Sequence, residues 1–228
     1  MRRAIGIILA DDHDNFRDRL LDWWRENQRD FPWRSTGNIY HILIAEILLH
    51  RTRAEQVVPV YNDFLDRFPS IENVAEASRS EIEGILYPLG LHWRAKLLHR
   101  MAKTICEERD CNIPSDKKEL ESLPGISHYI ASAVRCFALG YPEIILDTNT
   151  VRIAGRLFGI EVTDSSRRSR KFREILGSLL DKEYPREFNL ALIDLGALIC
   201  KTSDPQCGCC PVKSMCEYGV TKGGNANA

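Results

Sequence analysis

The sequence lacks any uncharged apolar run of the roughly 18 residues that a bilayer span needs, and its first ten residues carry no small-residue cleavage pattern. Both absences lead to the expectation of an intracellular chain without membrane contact. Long alternations of apolar and polar residues are also missing, as are internal repeats and low-complexity segments, which argues against sheet architectures and solenoids. Net charge is only −1. Composition therefore gives no electrostatic sign of a nucleic-acid partner, which usually shows as a basic balance.

What is present is an ordinary globular composition. The 228 residues, 44% of them hydrophobic and 8% aromatic, can bury a substantial core in one large domain or two small lobes. Apolar residues recur at helical spacing almost throughout, as in Ile42, Ile44, Ala45, Ile47, Leu48 and in Ile130, Ala131, Val134, Phe137, Ala138, so the fold is expected to be all-α. Breaks at Phe31-Pro32, Arg51 to Arg53, Phe68-Pro69, Pro88 to Gly90, Ile113-Pro114, Leu123-Pro124-Gly125, Gly140 to Pro142 and Tyr184-Pro185 divide the chain into about ten short helices. The small polar tail, residues 223–228, is expected to be disordered. Charge is unevenly spread. Asp11, Asp12 and Asp14 are offset by Arg94, Lys96, Arg100 and Lys103, and by Arg167, Arg168, Arg170, Lys171 and Arg173, sets that read as solvated helix faces.

Five of the eight cysteines, Cys200, Cys207, Cys209, Cys210 and Cys216, crowd into the last 29 residues. Such crowding points to a metal site more than to a disulfide framework. Cys200, Cys207, Cys210 and Cys216 follow the spacing C-x6-C-x2-C-x5-C, after an apolar helix expected at Asn189 to Ile199. Four thiolates suit a [4Fe–4S] cluster. Structural zinc is the competing reading, although zinc sites usually draw on two close ligand pairs and this loop has one. A register using Cys209 in place of Cys210 stays open on spacing alone. Cys106, Cys111 and Cys136 read as small core or surface residues.

Leu123-Pro124-Gly125-Ile126-Ser127 joins two expected helices, and a Pro-Gly turn there can aim backbone N–H groups at a phosphate or serve only as a connection. Asp147 lies 18 residues after Tyr129 and opens a helix expected over Thr148 to Phe158. It suits an N-cap. A carboxylate held at that point also suits the stabilisation of a sugar cation or the orientation of an attacking water.

Taken together, the turn Leu123-Pro124-Gly125, Tyr129, Asp147-Thr148-Asn149 and the four-cysteine loop resemble the helix-hairpin-helix DNA glycosylases of the endonuclease III superfamily. The likeness extends over Arg29 to Arg34, Ala45 to Leu49 and Asp194 to Cys200, nearly the whole chain. It implies a two-lobed fold with a six-helix barrel domain carrying the hairpin at residues 31–141, and an iron–sulfur cluster domain formed by residues 1–30 plus 142–222. It further implies an active site in the cleft between the lobes, and a monomer acting on double-stranded DNA with a mispaired base, in the cytoplasm with the nucleoid or otherwise inside the cell. Leu123, Gly125, Ile126 and Ser127 would contact DNA. Ser127 departs from the family, which usually has a second hairpin glycine there, so it stands either as a weaker phosphate contact or as a cap of the next helix.

In bifunctional members a lysine stands at the place of Tyr129 and forms a Schiff base with the sugar, which tyrosine cannot do. The resemblance therefore implies a monofunctional enzyme that hydrolyses the N-glycosidic bond without strong strand cleavage. Asp147 would stabilise the developing cation, Asn149 would steady the water or the carboxylate, Tyr129 would pack on the flipped nucleotide, and Glu46 would contact or protonate the leaving base. His50, Arg51 and Leu91 would fill the gap in the duplex, Leu91 as an aliphatic wedge.

Glu46 is shared by the adenine-mismatch and the T:G-mismatch branches. His50-Arg51 stands where adenine glycosylases carry paired glutamines, Gly90-Leu91-His92-Trp93 stands where they carry paired tyrosines, and they generally continue into a further C-terminal domain. These differences favour thymine or uracil opposite guanine over adenine. A DNA-binding iron–sulfur protein without catalysis is the alternative from another class, and Asp147, Glu46 and Tyr129 together argue against it.

Overall fold

The computed structural model describes residues 10–50 and 52–221, and every element among them is helical. The chain divides into two compact units, Met1–Arg29 with Pro142–Ala228, and Asp30–Tyr141. No helix among the described residues is long and apolar enough to cross a membrane. Arg51 and the tail expected to be disordered, residues 223–228, lie outside the described residues.

The first unit begins with α1 (Ala10–Asn27). The second contains α2 (Ile39–Leu49), α3 (Ala54–Arg67), α4 (Ile71–Glu76), α5 (Arg79–Leu86), α6 (Ala95–Arg109), α7 (Lys117–Ser122) and α8 (His128–Leu139). The chain then returns to the first unit with α9 (Thr148–Leu157), α10 (Arg170–Leu179), α11 (Pro185–Leu198) and α12 (Glu217–Thr221).

In the second unit α2 is the central element. Asn38 starts it by accepting the Tyr40 and His41 N–H groups at 2.9 and 3.3 Å, and every residue from Ile42 to Leu48 is buried. A helix that is apolar on all sides has to be surrounded. Here α3 and α8 pack against it, while α6 packs against α4 and α5. Gly125 completes the connection from α7 to α8 at φ +83°, with only 3.1 Å between its implied Cβ and that of Leu97. Any side chain there would be strained twice over. Ser127 caps α8, its hydroxyl accepting the Ile130 N–H at 3.3 Å. Of the two expectations for Ser127, the cap is the one the geometry realises.

In the first unit α11 is the core helix, packed on α1 and α9. It starts at Pro185 rather than at Asn189, because Pro occupies the first helical turn, where a missing N–H costs nothing. The Tyr184-Pro185 pair is thus a helix start as well as a break. Asp194, fully buried, accepts from the Trp24 indole at 2.9 Å, from the Arg29 guanidinium at 2.6 Å and from the Arg29 backbone at 3.2 Å. A buried carboxylate is tolerable only with such partners. Asn189, also fully buried, clasps the segment leading to α9 by donating to Glu143 O and accepting from Ile145 N at 2.9 and 3.1 Å.

One sequence reading needs correction. Cys106 and Cys111 form a disulfide across the C-terminal end of α6, whereas Cys136 is buried and outside any disulfide. Asp110 and Cys111 both take positive φ, which turns the chain back sharply enough to bring the two sulfurs together. Spacing of four intervening residues gives no hint of this in a helical context, since the pairing depends on where the helix stops. Loop-closure entropy for so short a ring amounts to about 2 kcal/mol. The Cys106→Ser/Cys111→Ser variant is expected to lose about that much stability by urea denaturation, with the unreduced protein as reference; equal stability would show that the crosslink constrains nothing.

Candidate active site and cysteine loop

Asp147 is the N-cap of α9. Its Oδ1 accepts the Thr150 N–H at 2.7 Å, and the Thr150 hydroxyl accepts the Asp147 N–H at 2.9 Å, a reciprocal capping box. Oδ2 accepts from the Asn149 amide at 3.0 Å. Burial pushes the Asp147 carboxyl above its ordinary value, against the lowering effect of the Thr150 and Asn149 hydrogen bonds. A carboxylate that resists ionisation yet is fixed in direction by two donors is suited to face a developing positive charge.

Asn149 is held in turn. Its Oδ1 accepts from Arg152 Nη2 at 2.7 Å, and that guanidinium also donates to Gly196 O at 2.8 Å and to Cys200 O at 2.7 Å. One turn further along α9, Arg156 donates to Lys201 O at 2.6 Å, to Thr202 O at 2.9 Å and to Cys200 Sγ at 3.3 Å, with its guanidinium 4.9 Å from the Tyr218 ring centre. A continuous set of hydrogen bonds thus runs from the Asp147 carboxylate to the start of the cysteine loop. Arg152 and Arg156 were missed by sequence reasoning. The signal was available in their i, i+4 placement on α9, directly after Asp147 and Asn149, but their partners are carbonyls about 45 residues downstream.

The loop itself has little apolar content and is built of turns. Cys200, Cys207, Cys210 and Cys216 are half-buried. Burial pushes the Cys210 thiol up to about 12, with Cys216, Cys200 and Cys207 adding like-charge repulsion, and the Cys216 thiol shifts the same way, by burial first and then through Cys200 and Cys207. Four half-buried thiols supplied by one loop are of the donor type that an iron–sulfur group takes. Cys209 stands apart, exposed, its thiol donating to Gln206 O at 3.3 Å. Among the described residues, no three His, Cys, Asp or Glu side chains are arranged as ligands of a metal ion.

The remaining sequence candidates lie in the second unit. Glu46 is buried within α2 at 4% exposure, and α2 packs against α8, which carries the half-buried Tyr129 in its first turn. Leu123 and Ile126 are buried and form the inner side of the hairpin, while Gly125 and Ser127 are its exposed side. His50 closes α2 in an extended conformation and lines a pocket of about 120 Å³ together with Trp93, Arg94, Met101, Gly125 and Ser127. Leu91, the expected wedge, is 7% exposed, turned inward after the left-handed residue Gly90. The large hydrophobic side chains that this turn exposes are Tyr87 and Trp93.

The hairpin and the capped aspartate that follows it fall within a match to a known family: the model of the HhH-GPD superfamily base excision DNA repair protein matches residues 44–178. The chain belongs to this superfamily. A thymine/uracil-DNA glycosylase of Pyrobaculum aerophilum is 39% identical over 91% of this chain and 93% of its own. Among solved structures, a thermostable thymine-DNA glycosylase superposes with a TM-score of 0.86 at 32% identity, over 93% of this chain and 99% of that one. An adenine DNA glycosylase of Mycobacterium tuberculosis is 34% identical over 85% of this chain, which spans 64% of the length of that relative. The all-α helix-hairpin-helix fold and the place among base excision repair proteins are thus as the sequence resemblance implied.

The raised Asp147 pKa has a measurable consequence. A carboxyl whose folded-state value lies above its unfolded one is harmless below the unfolded pKa, and lowers stability as pH rises from there through the folded pKa. Asp147→Asn keeps a capping oxygen. The variant is therefore expected to match the wild type in urea denaturation below about pH 4 and to become the more stable protein towards neutral pH. A wild type that gains on the variant with rising pH would mean that the carboxylate is stabilised, and the cap is then its whole role.

Proposed function

We propose that this protein is a monofunctional DNA N-glycosylase that removes thymine or uracil mispaired with guanine in double-stranded DNA, leaving an abasic site. The observation that carries the reading is the Asp147 carboxylate, fixed by Thr150 and Asn149 and raised in pKa by burial. Identity of 39% to a protein named thymine/uracil-DNA glycosylase supports the choice of base. Tyr129 in the first turn of α8 supports hydrolysis without a Schiff base, since a phenol cannot form one.

In this scheme the mispaired nucleotide leaves the stack, a step that costs a few kcal/mol and costs least at a mispair. Asp147 stabilises the oxocarbenium-like sugar as the bond breaks, and Asn149 steadies the water that attacks it. Glu46 contacts or protonates the departing base, and Tyr129 packs on the flipped nucleotide. The hairpin at Leu123, Gly125, Ile126 and Ser127 tracks the phosphates, His50 and Arg51 would fill the gap left in the duplex, and a single copy of the chain suffices. Residues 31–141 correspond to a six-helix barrel domain, and residues 1–30 plus 142–222 to a cluster domain. Cys200, Cys207, Cys210 and Cys216 would hold a [4Fe–4S] cluster, whose contribution when bound is to tie down a loop too poor in apolar residues to fold by itself.

Two experiments test this. End-labelled duplexes carrying T:G, U:G, A:G, adenine opposite 8-oxoguanine, or matched pairs are expected to break only at T:G and U:G and only after hot alkali, with Asp147→Asn slower by about 1,000-fold. Release confined to adenine would reassign the base. No release from any duplex would leave a DNA-binding protein without chemistry. Iron and acid-labile sulfide, assayed on purified protein, are expected at roughly four each per chain, falling in Cys210→Ser and unchanged in Cys209→Ser. The reverse pattern would place Cys209 in the ligand set, and one zinc in their stead would overturn the cluster.

A further inference from the structure

Helix α6 packs into the second unit by Ala95, Leu98, Met101, Ala102 and Ile105. On its solvent side Lys96, Arg100 and Lys103 recur at spacings of four and three, all exposed, and so form one stripe along the helix. Elsewhere in the unit Arg67, Arg79 and Arg109 are met by Glu81, Glu83 and Glu119. The stripe has no such answer. Among the described residues none of its three cations makes a hydrogen bond or ion pair, and Glu107, one turn beyond Lys103, forms no bridge to it. Two local effects oppose this arrangement. Like charges three and four apart repel along a helix, and Lys96 stands in a first turn that holds no acidic residue, where the helix dipole disfavours a cation. An anion laid along the stripe relieves both.

Length and place indicate which anion. Lys96 to Lys103 spans about 10 Å at the rise of an α-helix, too long for one small anion but enough for roughly three successive phosphates of one strand, spaced about 3.4 Å along a duplex axis. The stripe also begins beside the hairpin. Leu97, next to Lys96, has its Cβ 3.1 Å from the Cβ position at Gly125, and the N–H groups of Gly125 and Ser127 have no hydrogen-bond acceptor among the described residues. A strand whose phosphate meets those N–H groups continues within reach of Lys96. The other basic set, Arg167 to Arg173, belongs to the first unit and is answered in part within the chain, where Arg170 donates to Glu174 at 2.7 Å.

We infer that Lys96, Arg100 and Lys103 form a track for the phosphate backbone of bound DNA, which continues the hold of the hairpin along the outer face of α6 and reads no sequence. Arg94, grouped with them by sequence, stays outside the track: it is buried and donates to Ile47 O at 3.1 Å. The track rests on the reading of DNA as substrate and deepens it.

The test is the salt dependence of binding to a matched duplex and to one carrying T:G, followed by fluorescence anisotropy for the wild type and three variants. Lys96→Gln/Arg100→Gln/Lys103→Gln is expected to flatten the slope of log affinity against log salt by about 2 to 3, at about 0.9 per phosphate contact. The change should be the same on both duplexes, because a backbone contact carries no base preference. Lys96→Arg/Arg100→Lys/Lys103→Arg keeps the charge and is expected to keep the slope. Arg167→Gln/Arg168→Gln/Lys171→Gln removes equal charge from the other basic set and is expected to leave the slope unchanged, which separates the contact from a general effect of net charge. The melting temperature of the α6 glutamine variant should be no lower than that of the wild type, since the three side chains are exposed and repel one another. An unchanged slope in that variant, or an equal fall in both glutamine variants, would overturn the inference. If the wild type meanwhile releases thymine, the track alone is lost; a wild type that binds neither duplex sinks the DNA reading together with it.

Discussion

Helix α9 can approach α11 as closely as it does only because residue 196 has no side chain. A Cβ there would lie 2.5 Å from Asn149 Cβ and 2.9 Å from its Cγ, well inside any contact that real side chains tolerate. That single absence lets Arg152 reach the Gly196 carbonyl while holding Asn149. From this approach follows the direction of the Asn149 amide, hence that of the Asp147 carboxylate, and through Cys200 O the start of the cysteine loop. An arginine with its donors spread over one side-chain oxygen and three carbonyls is a rigid spacer, because the planar fork cannot satisfy one partner without fixing the others.

The same arrangement explains why a carboxylate of raised pKa is tolerated. Two local donors, the Thr150 N–H and the Asn149 amide, offset part of the desolvation that raises it, and the cap they form also satisfies the N-terminus of α9. Structure and chemistry draw on the same atoms. The cap alone would be served as well by asparagine or serine, whereas the acid places at this buried position a charge that desolvation disfavours.

The second unit solves a different problem. Its central helix is apolar on every side but carries Glu46 at 4% exposure, and its hairpin is closed by a glycine at φ +83°. Inner residues Leu123 and Ile126 anchor the turn in the core, which leaves Gly125 and Ser127 at the surface. That division of labour lets a five-residue connection be both rigid and accessible.

Much of this was legible without a structure. Helical periodicity and punctuation by Pro and Gly gave the all-α fold and most helix limits, because those signals are local and each element satisfies its own backbone. Asp147 as the cap of α9, Ser127 as that of α8, and the four spaced cysteines were likewise readable, since a cap acts within three residues of its own position. What only the tertiary structure decided depends on distance in sequence or on which way a side chain turns: the Arg152 and Arg156 bonds to carbonyls far downstream, the Cys106–Cys111 crosslink made by two left-handed residues at the end of α6, and the exchange of roles at Gly90 to Arg94, where Leu91 goes inward and Trp93 outward. A sequence lists both apolar residues of that turn alike; burial is the property of the packed chain, and it alone separates the one that holds the turn from the one left at the surface.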